Sequence, residues 1–463
     1  MTRLLHSIDE GILLPSLYGR GRGWVYLLPS LTGRGRGWIF FFLLFSISKP
    51  AVAQERDSVS HWSLSASASP GRLIVMDEYQ RRFQKNTQTT AFAVELDYTP
   101  QPADGNPFAQ DYNYPTFGFG LKLNLNDVTM HRKASDGWGM AEEVDYDSRL
   151  GNIVTAYSTF SRPVLVWPRH ATPDERRVEV DYSLGAGIGY AKHKYSKNSN
   201  IDNELIGSRF LIYFTAGTHA TWHVSPTWAV FGGLEYYHHS NGALNRPNKG
   251  ANYWGPVVGV KYRMAPRRPT LKREKQERIG FAPYWFANIG ASLGAKTLNE
   301  DWQLTQFHTP PDSARYRTGR FHMYASYNVQ ADVMWRYARR WATGVGVDVS
   351  YGTYADRVRE IEEEGKLRPA ASNKAESVSP WSLGLALKHN VYYGNLSVRM
   401  SLGWYLLRHM GSNAKEVEQP YYERIGVHYS FPQLGGLSIG ASVKAHLTKA
   451  DLTELTISYP LTL

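Results

Sequence analysis

The sequence predicts an all-β chain that folds as an antiparallel transmembrane β-barrel of about 14–16 strands. The first observation is that apolar and polar side chains alternate with a period of two in segments along the chain. The second is that many of these segments run for about 10–15 residues, whereas strands of soluble sheets average about 5–6. The third is a composition of 30 Tyr, 14 Trp and 41 Gly in 463 residues, which is typical of membrane strands with aromatic girdles.

The bulk composition excludes several other classes of protein. After residue 53 the chain contains no apolar run of about 20 residues, so a helical membrane protein is not expected. The absence of cysteine excludes a disulfide framework and a cysteine-based zinc site. After residue 53 the formal charge is 46 − 39, or +7, which suits a surface near anionic lipid headgroups and equally suits many other proteins. No nucleotide, haem or zinc motif is present, so we predict no cofactor, no metal ion and no nucleic-acid partner.

Residues 1–53 have the features of a secretion leader. An apolar core at 38–47 follows two arginines and precedes the small-residue signal at 51–53, which predicts cleavage after Ala53. Ahead of that core, residues 13–26 are repeated in near-identical form at 27–40, a tandem copy of 14 residues. We therefore expect export to the outer membrane of a Gram-negative cell, directed by an N-terminal signal peptide.

The alternating segments predict the strands of the barrel. Clear examples are 178–188, 321–335 and 396–406, each with apolar side chains at every second position. Similar segments begin near residues 61, 91, 116, 151, 208, 227, 252, 283, 340, 382, 419, 437 and 452. Short turns between them alternate with long polar loops, the pattern by which such barrels place short turns in the periplasm and long loops outside. By this pattern the loop 241–251 faces the exterior.

One connection departs from the pattern. The segment 264–282 is long and basic, and it falls on the side of the short turns. It would fit a linker between two eight-stranded barrels, but we favour a single barrel, because one closed sheet has only one set of edges to satisfy. The predicted organisation is strands with the site in 54–263, a basic linker at 264–282 and additional strands in 283–463.

The strand 227–240 carries the residues that indicate chemistry. Its even positions are apolar and should face lipid, and they include His238 and Ser240 near the exterior end. Residues two apart on a strand lie about 6.8 Å apart at the backbone, so an imidazole can reach the hydroxyl. A histidine beside a serine is the arrangement of base and nucleophile in a serine hydrolase.

A third group should orient the histidine. On the next strand, 252–263, the even positions are again apolar, and Asn252 lies on the same lipid side. Glu235 and His239 have the opposite parity and should face the lumen. Pro256 removes a hydrogen-bond donor and can mark a bulge, which would change the parity beyond it.

These residues resemble the motif of the outer-membrane lipid A 3-O-deacylases. His238-x-Ser240-Asn241-Gly242, followed by Pro247-Asn248 and Gly250, is similar to that family's His-x-Ser-Asn pattern and its later Pro-Asn pair. The resemblance implies that His238 is the base, Ser240 the nucleophile, and Asn241 and Asn248 the oxyanion donors. Residues 283–463 look like the extra strands of larger acyloxyacyl-hydrolase-like proteins of Bacteroidetes-type bacteria.

The third member of the triad departs from the deacylase pattern. That family has an acidic residue twelve positions after the serine, where this chain has Asn252. An asparagine there matches the outer-membrane phospholipase A pattern instead. The calcium-binding positions of that enzyme correspond to Ala243, Asn245 and Asn248, which are not convincing counterparts.

We therefore expect a serine ester hydrolase that removes an acyl chain from lipid A of lipopolysaccharide. Arg246 and Lys249 are candidate contacts for the substrate phosphates, although a solvated loop explains them equally well. One alternative is an outer-membrane phospholipase A, and another is a non-catalytic, porin-like or surface-binding barrel. The oligomeric state stays open, with a dimer among the options.

Overall fold

The computed structural model describes residues 61–132, 143–266, 279–368, 374–447 and 449–463. The expected leader, 1–53, lies outside these residues, as does most of the basic segment 264–282. In the part of the chain that is described, no helix has the length and apolar character needed to cross a bilayer.

Eight long antiparallel strands of the N-terminal half form the first barrel. The strands are β1 (Trp62–Ile74), β2 (Gln84–Tyr98), β3 (Thr116–Met130), the two-residue β4 (Ser148–Arg149), β5 (Ile153–Trp167), β6 (Val178–Ala191), β7 (Phe210–His223), β8 (Trp228–Ser240) and β9 (Ala251–Arg263). The sheet closes because β1 pairs with β2 on one side and with β9 on the other. The short strand β4 pairs with the last two residues of β3 and takes no part in closing the sheet.

The C-terminal half forms a second closed barrel of eight strands. These are β10 (Tyr284–Lys296), β11 (Tyr324–Ala338), β12 (Trp341–Gly352), β13 (Val378–Tyr393), β14 (Leu396–Met410), β15 (Tyr421–Phe431), β16 (Leu437–His446) and β17 (Lys449–Thr462). Its first and last strands, β10 and β17, pair with each other. The predicted antiparallel β-barrel architecture is confirmed, but the preference for a single barrel is wrong. Each half pairs the backbone groups of its own edge strands, so joining the halves into one sheet would gain no hydrogen bonds.

The two-residue alternation separates the inner and outer faces of both barrels. Outward side chains such as Leu234, Trp254 and Val258 are about half exposed, and they form an apolar outer surface. Inward side chains are polar and paired: Lys122 bonds Glu235 at 2.6 Å in the first barrel. In the second barrel, Lys388, Arg424 and Asp348 form ion pairs of 2.6 and 2.5 Å. Eight strands leave an interior just wide enough for side chains to fill it, and here charged networks occupy that space.

Short helices lie in the connections. They are α1 (Glu78–Arg81), α2 (Pro107–Asp111), α3 (Asn299–Phe307), α4 (Ala355–Glu364) and α5 (Gly411–Val417), with single 3-10 turns at Pro102–Asp104 and Pro432–Leu434. Helix α3 follows β10, in the second barrel, and its last residue, Phe307, packs against the buried cluster of the first barrel. The long connection 241–250, between β8 and β9, carries the remaining residues of the candidate site and is called the site loop below.

Candidate active site

Strands β8 and β9 bring the predicted histidine and asparagine face to face. Their ladder runs without a register shift, and it pairs His238 directly with Asn252. Pro256 pairs with Leu234 in the same uninterrupted register, so it does not change the parity of Asn252. Ser240, two positions after His238, lies on the same outer face at the end of β8.

The contact between His238 and Asn252 determines which nitrogen of the neutral imidazole carries the hydrogen. His238 Nδ1 lies 2.7 Å from Asn252 Oδ1. An amide oxygen only accepts hydrogen bonds, so Nδ1 carries a hydrogen, and in the neutral imidazole the lone pair is then on Nε2. An imidazole in this tautomer can take a proton from an alcohol, as a general base does.

Tyr236 is a member of this group that sequence reasoning missed. Its hydroxyl donates to Asn252 Oδ1 at 2.8 Å, so the amide oxygen accepts two hydrogen bonds. Both bonds fix the orientation of the Asn252 side chain, which is 8 % exposed. The sequence could have indicated this role, because Tyr236 lies two residues before His238 on the same face of the strand.

We expect Asn252→Leu to lower kcat/KM by about 10²-fold, because an imidazole without its orienting acceptor leaves the productive geometry. Asn252→Asp should keep the activity, since a carboxylate also accepts the Nδ1 hydrogen. Both variants are measured on lipid A in detergent micelles. Full activity of the leucine variant would contradict the orienting role.

The serine hydroxyl has a different contact. Gly242 N–H donates to Ser240 Oγ at 3.4 Å, and Ser240 is 7 % exposed. Among the described residues, no hydrogen bond of 3.5 Å or less joins Ser240 to His238. Catalytic hydrogen bonds are often long before substrate binds, and a side-chain rotation of Ser240 would direct Oγ along the strand toward the imidazole.

The site loop holds its shape through two asparagines. The Asn241 side-chain amide donates to the carbonyl oxygens of Asn245 and Pro247, at 3.3 and 3.0 Å. The backbone N–H of Asn241 donates to Asn248 Oδ1 at 2.8 Å. The prediction that Asn241 is an oxyanion donor does not fit this geometry, because all of its N–H groups are engaged within the loop. Asn248 Nδ2 has no hydrogen-bond partner among the described residues.

The backbone N–H of Gly242 is a donor that the sequence could not reveal. It is directed at Ser240 Oγ, and Gly242 adopts φ +59°, a region that glycine enters without steric cost. Backbone N–H groups near the nucleophile are common oxyanion donors in acyl transfer. No side-chain pattern marks such a group.

Gly250 lies against the imidazole. Its φ is +75°, and a Cβ atom built there would lie 2.7 Å from His238 Cε1. The glycine therefore leaves space for the His238 imidazole at the end of the site loop.

We expect Gly250→Ala to lower kcat by about 10²-fold, because the added methyl group displaces the imidazole. Gly105→Ala is the matched control: it also has positive φ, at +62°, but nothing lies within 4 Å of its Cβ position. The measurement is deacylation by purified protein. Equal losses in the two variants would show that backbone strain, not contact with His238, is responsible.

The two cations proposed for substrate phosphates have protein partners. Arg246 donates through Nε and Nη2 to Thr297 O, at 3.4 and 3.2 Å. Lys249 forms ion pairs with Asp77 at 2.8 Å and with Glu204 at 2.9 Å. A phosphate would have to displace these contacts, so neither residue is carried into the proposal below.

Residues of opposite parity face the lumen. His239 is fully buried, and its Nε2 lies 2.9 Å from Thr155 Oγ1. Glu235 is paired with Lys122, as described above. Neither imidazole nor carboxylate reaches the outer face where Ser240 lies.

One group in the second barrel has the residue types of a metal site. Ligand atoms of Glu418, His446 and Asp451 all lie within 4.8 Å of one another. Both carboxylates already have cationic partners, since Lys296 bonds Asp451 and Arg408 bonds Glu418. We interpret the group as a charge-balanced network of the barrel interior.

Comparisons with solved structures identify several β-barrels at very low similarity. The FrpB iron transporter from Neisseria meningitidis is 9 % identical, with a TM-score of 0.21 over 81 % of this chain and 63 % of that one. This chain thus spans less than two thirds of that transporter. A triple mutant of the Rhodopseudomonas blastica porin is 8 % identical, with a TM-score of 0.15 over 86 % of this chain and 100 % of that one. TM-scores this low carry no argument about function. Comparison with curated proteins gives no match.

Family models match both halves of the chain. The model for Lipid A 3-O-deacylase (PagL) matches residues 112–261, which include β8, β9 and the site loop. The model for the C-terminal domain of acyloxyacyl hydrolase matches residues 285–462, which span the second barrel. The chain belongs to the lipid A 3-O-deacylase and acyloxyacyl hydrolase family.

Proposed function

We propose that this protein is an outer-membrane serine esterase that removes an ester-linked acyl chain from lipid A. The observation that carries the proposal is the hydrogen bond from His238 to Asn252, beside Ser240, on the outer face of the first barrel. The family supports lipid A as the substrate, and the geometry supports the assignment of roles to these three residues.

The proposed reaction begins with attack of Ser240 Oγ on the ester carbonyl carbon, while His238 Nε2 takes the hydroxyl proton. The carbonyl oxygen becomes negatively charged, and it accepts hydrogen bonds from Gly242 N–H and from Asn248 Nδ2. The ester C–O bond then breaks, and His238 returns the proton to the leaving sugar alcohol. Water, deprotonated by the same imidazole, then attacks the acyl carbon. The bond between that carbon and Ser240 Oγ breaks, the imidazole returns the proton to Ser240 Oγ, and a fatty acid is released.

The position of the site suits a substrate that stays in a bilayer. Around Ser240 and His238 the outer surface of β8 and β9 carries exposed apolar side chains, including Trp254 and Leu234. Lipid A keeps its acyl chains among lipids, so a site on the outer wall needs no extraction of the substrate. A site in the lumen would require that extraction, and there the charged networks occupy the space.

Phospholipid is the alternative substrate, favoured by one observation. Asn252, in place of an acidic residue, matches the phospholipase pattern noted above. Ala243 and Asn248 give that alternative little support as calcium ligands, because Ala243 has no side-chain oxygen and Asn248 Oδ1 already accepts a hydrogen bond from Asn241 N–H at 2.8 Å. The porin-like alternative is disfavoured by the filled interiors of both barrels.

The deciding experiment is mass spectrometry of lipid A and phospholipids from Gram-negative cells that express the protein, compared with cells that carry an empty vector. We expect lipid A that has lost one acyl chain, with unchanged phospholipids and no effect of a calcium chelator. Lysophospholipid formation that the chelator abolishes would establish the phospholipase instead. Unchanged lipids of both classes would overturn the enzymatic proposal.

A further inference from the structure

The site loop of the first barrel is bonded to the wall of the second. Thr453, on the outer side of β17, donates through Oγ1 to the carbonyl oxygen of Gly242. Thr297, directly after β10, donates to the carbonyl oxygen of Ala243 through its backbone N–H at 2.8 Å and through Oγ1 at 3.0 Å. Two consecutive peptide carbonyls of the loop are therefore held by the C-terminal half.

These are the carbonyls of two residues with unusual backbone conformation. Gly242 has φ +59°, and Ala243, which is fully buried, has φ +68°. A residue with a Cβ atom enters this left-handed region at an energetic cost, so surrounding contacts must maintain it. The same backbone turn directs Gly242 N–H at Ser240 Oγ.

A third contact comes from Arg246, further along the site loop. Its guanidinium donates to Thr297 O, and the carboxylates of Glu300, Asp451 and Glu418 lie near it. Burial lowers the pKa of Arg246, and these three carboxylates oppose that shift. All three acids belong to the C-terminal half, so that half favours the charged form of Arg246 as well as accepting its hydrogen bonds.

We propose that the second barrel is a positioning element for the site loop. Thr297 and Thr453 hold the carbonyl groups of Ala243 and Gly242, so that Gly242 N–H stays directed at the oxyanion that forms when Ser240 attacks. This inference rests on the proposed esterase function and assigns a role to residues 283–463. Neither threonine touches substrate, and both act through the loop backbone.

The test uses the full-length protein, purified in detergent, with lipid A micelles as substrate. Thr453→Val removes the hydroxyl at nearly constant size, and Thr453→Ser retains it. We expect the valine variant to lose about tenfold in kcat, and the double variant Thr297→Val/Thr453→Val about 10²-fold, because loosened positioning acts on the transition state. KM should change little, and the serine variant should retain the wild-type kcat.

Thr456→Val is the matched control. Thr456 also lies on β17, and its hydroxyl is 2.8 Å from Ser292 Oγ inside the second barrel, away from the site loop. It should keep the wild-type kcat. An equal loss in Thr456→Val, or a wild-type kcat in the double variant, would overturn the positioning role. Ser240→Ala is assayed in parallel: if it is as active as the wild type, the esterase assignment itself fails.

Discussion

Replacing Ser240 with alanine is expected to abolish deacylation of lipid A, with a fall in kcat of roughly 10⁴–10⁶-fold. The alanine has no oxygen to attack the ester carbonyl, and no acyl-enzyme can form. The residue lies at the end of β8, and its hydroxyl accepts a long hydrogen bond of 3.4 Å from Gly242 N–H, so loss of that one group should leave the fold unchanged. Lipid A from cells that express this variant should have the same mass spectrum as lipid A from cells with an empty vector.

Ser225→Ala provides the control for that experiment. Ser225 precedes the other end of β8, where its hydroxyl accepts hydrogen bonds from Trp228 N and Thr227 N. It should deacylate lipid A like the wild type. If Ser240→Ala changes lipid A as fully as the wild type does, the nucleophile is another group and the proposed mechanism is wrong.

Replacing His238 with glutamine should have the second-largest effect, a loss of roughly 10³–10⁶-fold in kcat. Glutamine is similar in reach and can still bond Asn252, but its amide cannot take the serine proton. Labelling of Ser240 by a fluorophosphonate should also become slow in this variant, because the reagent reacts with an activated hydroxyl. Labelling followed by peptide mass spectrometry measures that step without lipid substrate.

His239→Gln is an adjacent control on the opposite face of the same strand. His239 faces the lumen and contacts Thr155, and glutamine can keep that hydrogen bond. Labelling and turnover should both remain near the wild-type values. A loss in His239→Gln as large as that in His238→Gln would contradict the division of β8 into a reactive outer face and a structural inner face.

The parity of side chains on each strand could be predicted from sequence, because it depends only on local alternation. That is why the outward position of Ser240 and the inward position of Glu235 could be inferred from the residues of β8 alone. The pairing of His238 with Asn252 could also be predicted, since a single loop joins β8 to β9. The closure of two separate sheets could not be predicted, because it depends on the pairing of β1 with β9 and of β10 with β17. Nothing in the alternation specifies which distant strands meet.

The finer features of the site depend on groups without a sequence pattern. The donor at Gly242 is a backbone N–H, and its direction follows from two left-handed residues in the site loop. The hydrogen bonds of Asn241 within its own loop are a related case, because no sequence pattern shows that a side chain is used in this way. The contacts of Thr297 and Thr453 join residues far apart in sequence, and only the three-dimensional arrangement brings them to the site.

Independent closure of the two sheets has a consequence for how the molecule can be built. A break in the polypeptide between residues 266 and 279 would open neither ring of strands, because each ladder among the described strands joins strands from the same side of that break. Two separately encoded fragments could therefore each complete their own hydrogen bonding. Restoration of turnover on mixing them would then report how strongly the fragments associate through their facing walls.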